Sequence, residues 1–274
     1  MSVILITGDH PRHRYFVREI IKEDQLDIGG IIVINRELML PFPPNNINNH
    51  DRLNWERHFI DRKEAEITAF TDEPHDIAGV PVLHVDDCQL SNGPVAAFVK
   101  SIEPTTVVTF GCGVIRDPLL SALPDQSINL HMGLSPKYKG AATLFWPFYM
   151  LEPNWAGGTI HYISNDVDGG KIIHQFRPEL YSGWGIHDVG VSTVKHGVFF
   201  IKKLLQAAHL PECWKGYTSN TLPHSWYKRD FKPEHLRVIY DLYDNKMVDA
   251  YLNGELKRPD PDLIECKELM AYET

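Results

Sequence analysis

An amide and an imidazole stand two residues apart at the end of an apolar run, and a carboxylate follows on a later segment. The first two groups belong to Asn129 and His131, and the turn 136–140 after them reads Pro-Lys-Tyr-Lys-Gly. The carboxylate is Asp168, which precedes paired glycines after the strand-like stretch 158–163. Because residues i and i+2 of a strand face the same side, the amide and the imidazole point into one site. These three groups on neighbouring elements are suited to acyl transfer.

Each of these groups also has an ordinary structural interpretation. Asn129 is suited to capping a turn, His131 to a hydrogen-bonded place in the core, and Asp168 to a common Asp-Gly turn. The joint spacing of all three with the Pro-x-Tyr-Lys-Gly turn favours the functional interpretation. His161 points inward on the second strand, two residues after Thr159. It either supports Asp168 or simply packs within the sheet, and the sequence favours neither interpretation.

This three-part pattern resembles the formyltransferase family that uses 10-formyltetrahydrofolate, which includes glycinamide ribonucleotide, methionyl-tRNA and nucleotide-sugar N-formyltransferases. The family motif is roughly Asn-x-His-x-Ser-Leu-Leu-Pro-x-Tyr-Arg-Gly, then a strand with His, then Leu-Asp-x-Gly. The resemblance covers roughly residues 75 to 205 and implies that Asn129, His131 and Asp168 are the catalytic groups. Met-Gly-Leu-Ser at 132–135 and Lys139 depart from the motif, which affects substrate fit more than reaction class.

The resemblance also implies a site for 10-formyltetrahydrofolate as co-substrate, with no metal ion. A loop after the strand 105–110 begins Gly-Cys-Gly and matches the folate-binding loop of the family. The loop 163–167 matches the opposite wall of that pocket. The residues predicted to bind the folate are Gly113, Val114, Ile115, Ile163, Asn165, Asp166 and Val167.

A basic cluster lies where the first strand meets the first helix, in the segment 8–14. It contains His10, Arg12 and Arg14, and a helix N-terminus attracts anions. We interpret these residues, together with Lys139, as ligands of a phosphate-bearing substrate, and a solvated basic turn is the alternative. The segment lacks the Gly-x-Gly-x-x-Gly turn of nicotinamide-binding proteins, and Asn35 stands where their acidic residue is expected.

Short β-branched runs alternate with helical patterns along the chain. Strands are predicted at 3–7, 30–35, 80–85, 105–110, 128–131 and 158–163, and helices at 13–22, 51–70, 94–100, 186–208 and 234–253. This order predicts an α/β fold with a doubly wound, mainly parallel sheet, the Rossmann-like core that the resemblance implies. We expect a catalytic domain at 1–210 and a small helical and loop extension at 211–274.

The composition limits the partners. The formal net charge of −9 favours neither nucleic acid nor an anionic membrane. The four cysteines are scattered and have no metal-binding spacing, which suits a reducing cytoplasm and argues against a disulfide framework. No apolar run approaches the length of a membrane span.

The sequence therefore predicts a cytoplasmic N-formyltransferase that acts on an amino group of a small, nucleotide-linked amino sugar. Two alternatives within the class are a methionyl-tRNA formyltransferase-like enzyme and a formyltransferase for another small amine. The first is disfavoured because the C-terminal part offers no basic, strand-rich module. Outside the class, the alternative is a non-catalytic Rossmann-type binding protein. A homodimer is left open.

Overall fold

A mostly parallel sheet with helices on both faces forms the centre of the molecule. The computed structural model describes residues 2–71 and 79–271. The strands are β1 (Ser2–Thr7), β2 (Asp27–Asn35), β3 (Val82–Asp86), β4 (Thr106–Phe110), β5 (Gln126–His131), β6 (Lys139–Gly140), β7 (Gly158–Tyr162), β8 (Ile172–Phe176) and β9 (Ser225–Trp226). The helices are α1 (Pro11–Ile21), α2 (Asn49–Phe70), α3 (Gly93–Ile102), α4 (Trp146–Tyr149), α5 (Ile186–Gln206), α6 (Met247–Leu252) and α7 (Lys267–Ala271).

The strand order confirms the predicted fold class. Seven strands pair in the order β3-β2-β1-β4-β5-β7-β8, and β6 pairs separately with β9. The first five of these run parallel, whereas β7 and β8 are antiparallel to their neighbours. The winding reverses between β1 and β4, and a ligand crevice forms at such a switch point, outside the carboxyl ends of the strands.

The alternation of side chains along β1 explains why the sheet is covered on both faces. Val3 and Leu5 pack in one apolar cluster with α1 and α5, whereas Ile4 and Ile6 pack in another with α3. All four are fully buried. A continuous run of large apolar residues is therefore what a strand with helices on both sides requires.

The predicted helix at 234–253 is wrong. The chain instead makes a short turn at Pro233–His235, a π-helical turn at Val238–Leu242 and then α6. Asp244 and Asn245 have φ angles of 47° and 58°, which a helix does not allow. The break has a structural purpose, because the side-chain oxygen of Asn245 accepts a hydrogen bond from the backbone N–H of Ile186 and so caps α5. The predicted helix at 186–208 is confirmed as α5.

The segment after residue 210 covers the β8 edge of the sheet. Ile172 exchanges two backbone hydrogen bonds with Tyr217, and the N–H of Gln175 donates to the carbonyl of Ile264 at 2.7 Å. Backbone groups of an edge strand need such partners when they are not exposed to water. Strand β8 itself was absent from the sequence-based prediction. The division into 1–210 and 211–274 stays a prediction, and residues on both sides of it share the apolar cluster around α5.

Candidate active site

Three polar side chains stand in register across neighbouring strands at one point of the sheet. Thr109 of β4 pairs with Asn129 of β5, and Asn129 pairs with His161 of β7. Residues directly opposite each other on neighbouring strands have their side chains close together. The strand pairing therefore builds a row of hydroxyl, amide and imidazole groups near the carboxyl end of β5.

The amide of Asn129 is held from both ends. Its oxygen lies 2.7 Å from the hydroxyl of Thr109, while its nitrogen lies 3.2 Å from Nε2 of His161 and 3.3 Å from Oδ1 of Asp168. The Nδ1 of His161 is 2.8 Å from the carbonyl oxygen of Tyr162, so Nδ1 carries a hydrogen. The ring of His161 is thus fixed beside Asn129 and Asp168, which supports the interpretation of His161 as a supporting residue.

His131 lies in a buried position between two hydrogen-bond acceptors. Its Nε2 is 2.8 Å from the carbonyl oxygen of Tyr138, and its Nδ1 is 3.4 Å from Oδ2 of Asp168. Burial lowers the pKa of His131 below its ordinary value, and the Asp168 carboxylate opposes this only in part. We therefore take His131 as neutral near pH 7, with its hydrogen on Nε2 and its Nδ1 facing the carboxylate. A proton that arrives at Nδ1 completes an ion pair.

Asp168 is held as a carboxylate in an unusual backbone conformation. Burial alone raises the pKa of its carboxyl group, but His131, His161 and the Gly140 N–H outweigh burial and hold that pKa well below its usual range. The Gly140 N–H donates to Oδ2 at 2.8 Å. The φ of Asp168 is 46°, in the left-handed region that few residues other than glycine adopt. Aspartate is, with asparagine, one of the side-chain-bearing residues that adopt this region most readily.

Close approaches of the backbone explain two glycines around the site. A Cβ on Gly170 would lie 1.7 Å from the carbonyl oxygen of Tyr162, so only glycine allows the Asp168 loop to return to β7. A Cβ on Gly140 would lie 2.2 Å from the carbonyl oxygen of Trp226, where β6 pairs with β9. The C-terminal segment therefore fixes the turn that supplies the N–H to Asp168.

The predicted folate-binding residues form two adjacent loops. Arg116, one residue after Ile115, donates a hydrogen bond of 2.6 Å to the carbonyl oxygen of Asn165 and so ties the loops together. Ile115 is buried, whereas Val114 and Val167 are exposed apolar side chains, one on each loop. The remaining residues predicted to bind the folate lie on the same two loops, at Gly113, Ile163 and Asp166.

The predicted substrate ligands His10, Arg12 and Arg14 lie elsewhere along the same edge of the sheet. They stand at the carboxyl end of β1, and β4 separates β1 from β5. Arg12 forms an ion pair with Glu66 of α2. Burial and the neighbouring Arg12 lower the pKa of His10, which makes this ring neutral rather than cationic.

Lys139 is the predicted substrate ligand that lies near His131 and Asp168. It is the first residue of β6, directly before the Gly140 N–H that binds Asp168. Its positive charge contributes to lowering the pKa of His131. Lys139 thus joins the site electrostatically, whereas the group around Arg12 forms a separate basic region.

Among residues 2–71 and 79–271, no group of three or more His, Cys, Asp or Glu side chains is arranged to hold a metal ion. Within the same residues, no helix has both the length and the apolar character needed to cross a bilayer. The four cysteines are free thiols.

Sequence reasoning missed Thr109, the carbonyl of Tyr138 and the N–H of Gly140. Thr109 could have been found, because a polar residue near the end of an otherwise apolar strand indicates a possible site residue. The two backbone groups carry no signal in residue type, since every residue except proline has the same donor and acceptor.

The strand order and the switch point define a Rossmann-like α/β protein, and the row of polar groups lies at its candidate site. Residues 67–192 match the family model described as formyl transferase. This segment contains Asn129, His131 and Asp168, and its match confirms the resemblance seen in the motifs.

Individual proteins with a similar sequence are methionyl-tRNA formyltransferases. A methionyl-tRNA formyltransferase of Anaeromyxobacter sp. (strain K) is 31% identical over 103 residues, which are 37% of this chain and 32% of the relative. The chain thus matches about a third of the length of the curated relatives.

Solved structures show the same fold. A phosphoribosylglycinamide formyltransferase from Anaplasma phagocytophilum covers 83% of this chain and 97% of its own, with a TM-score of 0.55 and 16% identity. An N-formyltransferase from Helicobacter canadensis, solved in complex with folinic acid and dTDP-3-aminofucose, covers 89% and 81%, with a TM-score of 0.50 and 16% identity. At these identities the likeness extends to the fold alone.

Proposed function

We propose that this protein is an N-formyltransferase that moves the formyl group of 10-formyltetrahydrofolate to an amino group of a small substrate. The observation that carries the proposal is the convergence of the amide of Asn129, the imidazole of His131 and the carboxylate of Asp168, each within 3.4 Å of the next. The convergence brings together two side chains of β5 and one from the loop between β7 and β8, which ordinary core packing does not require.

Formyl transfer to an amine places negative charge on the formyl oxygen and removes a proton from the amine. The amide nitrogen of Asn129 can donate to that oxygen, because its 3.3 Å contact with Asp168 is long for a hydrogen bond and can be exchanged. His131 accepts the proton at Nδ1, and Asp168 stabilises the resulting imidazolium. The imidazolium can return this proton to the donor nitrogen as the bond between that nitrogen and the formyl carbon breaks. A donor placed in this way contributes about 3 kcal/mol to stabilising the transition state.

The two tied loops fit the formyl donor. Backbone groups between residues 113 and 115 and between 163 and 167 would hold the pterin ring, with Val114 and Val167 covering its faces. When bound, 10-formyltetrahydrofolate supplies the activated formyl group. The loop 163–167 leads directly into Asp168, so a pterin held there would lie beside the proposed catalytic groups.

For the acceptor, we propose an amino sugar linked to a nucleotide. Two features support this choice: the basic region around Arg12 and Arg14 at the end of β1, which suits a phosphate group, and Lys139 beside the catalytic groups. The structural neighbour solved with dTDP-3-aminofucose has the same fold. Another small amine is the second candidate. Methionyl-tRNA is the third, because methionyl-tRNA formyltransferases are 30–31% identical to this chain over 103 residues.

The experiment that tests the proposal is a turnover assay with 10-formyltetrahydrofolate and a panel of acceptors. Nucleotide-linked amino sugars, simple amines and methionyl-tRNA are compared by the release of tetrahydrofolate. Turnover with an amino sugar supports the proposal. Turnover with methionyl-tRNA alone overturns the choice of acceptor, and the absence of both turnover and folate binding by calorimetry favours a non-catalytic Rossmann-type protein. The cytoplasmic location and the homodimer stay predictions, which cell fractionation and light scattering test.

A further inference from the structure

The hydroxyl of Thr109 contacts the side-chain oxygen of Asn129, on the opposite side of the amide from Asp168. Its Oγ1 lies 2.7 Å from the amide oxygen of Asn129 and 3.3 Å from the carbonyl oxygen of Ile128. Thr109 is 1% exposed, so water does not compete for these contacts. Its β-branched side chain also has few rotamers available, which keeps the hydroxyl in place.

The direction of this hydrogen bond follows from the groups around Asn129. An ionised carboxylate only accepts hydrogen bonds, so the end of the Asn129 amide that faces Asp168 must be the nitrogen. The other end is therefore the oxygen, which only accepts. Thr109 must then donate its single hydrogen to Asn129, at the shorter of its two oxygen contacts.

We propose that Thr109 is a positioning residue that fixes the amide of Asn129 with its N–H groups directed towards Asp168 and the formyl oxygen. A side-chain amide can turn over by 180° with almost no change in shape, and the turned form would present an oxygen to the negative charge of the reaction. Donation to the amide oxygen also polarises the amide and strengthens its N–H as a donor. The catalytic part of this inference rests on the proposed function, whereas the orientation of the amide does not.

The kinetic test compares Thr109→Val, Thr109→Ser and a matched control, Thr106→Val. Thr106 is a fully buried threonine of the same strand whose hydroxyl also donates to a side-chain amide oxygen, that of Gln126, at 3.2 Å. We expect Thr109→Val to lower kcat about tenfold, the loss expected for one misplaced neutral hydrogen bond, with KM for the formyl donor unchanged within about twofold. Thr109→Ser should restore most of kcat, and Thr106→Val should keep it. Equal kcat in Thr109→Val and the wild type overturns the inference.

A spectroscopic test separates this inference from the proposed function. The side-chain amide signals of Asn129 in a ¹⁵N,¹³C-labelled protein are identified by their loss in Asn129→Asp. We expect the ¹³Cγ and ¹⁵Nδ2 signals to move in Thr109→Val, to return towards the wild type in Thr109→Ser and to stay in place in Thr106→Val. Unchanged signals in a folded Thr109→Val protein overturn the inference whether or not any acceptor is formylated. If the signals move but the wild type shows no turnover, the inferred orientation of Asn129 is supported and only the proposed function is contradicted.

Discussion

Replacement of Asp168 by asparagine removes one negative charge from the proposed site and leaves the shape of the side chain. The carboxylate contacts four groups: its Oδ1 faces the Asn129 amide and His161, and its Oδ2 faces the Gly140 N–H and Nδ1 of His131. An amide at this position has only one acceptor oxygen. Whichever way it turns, its NH₂ group opposes either the Asn129 amide or the Gly140 N–H.

The size of the effect follows from these contacts. A hydrogen bond to a charged group contributes about 1.5–3 kcal/mol, and the variant loses one such contact together with the charge that stabilises protonated His131. We therefore expect Asp168→Asn to raise the barrier by about 3 to 4 kcal/mol, roughly two to three orders of magnitude in kcat. Asparagine tolerates the left-handed backbone at φ 46°, but the loss of the carboxylate contacts should also lower the free energy of unfolding, by about 1.5–3 kcal/mol.

Two measurements check this prediction. The first is kcat from tetrahydrofolate release, with Asp125→Asn as control, an exposed carboxylate just before the amino end of β5 and so at the opposite edge of the sheet. The second is an NMR titration of His131, whose pKa should fall further once the Asp168 carboxylate no longer opposes burial. A loss of kcat below about fivefold, or an unchanged pKa of His131 in the variant, would refute the reasoning.

Three further predictions concern other parts of the molecule. Burial lowers the pKa of His174 to about 4 and that of His187 to about 3, against about 6.5 in the unfolded chain, so the free energy of unfolding should decrease as the pH falls from about 6.5 to 4. Urea unfolding should show a loss of up to about 3 kcal/mol for His174 alone, and a pH-independent midpoint contradicts this. Arg12→Ala should raise KM for a phosphate-bearing acceptor far more than KM for the formyl donor, and equal increases in steady-state kinetics argue against an anion site. Asn245→Ala removes the cap of α5 and should lower the free energy of unfolding by about 1–2 kcal/mol in chemical denaturation, whereas Asn245→Asp should retain most of it.

The parts of the fold that follow from periodicity were open to prediction from sequence. Strand β1 is a run of large apolar residues because both of its faces are buried, so the sequence alone predicts a buried strand here. Asn129 and His131 were found because a spacing of two on a strand fixes a common face. Helix α5 has a regular apolar stripe and was predicted within two residues of its observed end.

The remainder depends on contacts between distant segments. The stretch 234–253 has apolar residues at helical spacing, and Leu236, Ile239 and Met247 are indeed buried, but a cap for α5 breaks it into turns at Asn245. The conformation of Asp168 depends on the Gly140 N–H, which in turn depends on the pairing of β6 with β9. Such couplings leave no local trace in the sequence.

The central claim is that the amide, imidazole and carboxylate transfer a formyl group from 10-formyltetrahydrofolate. The most direct test is tetrahydrofolate release by the wild type and by His131→Asn with the same acceptor at saturating concentrations. We expect turnover by the wild type and a loss of roughly two to three orders of magnitude in the variant, with calorimetric binding of the folate retained. Equal turnover by both proteins, or no folate binding by the wild type, would contradict it.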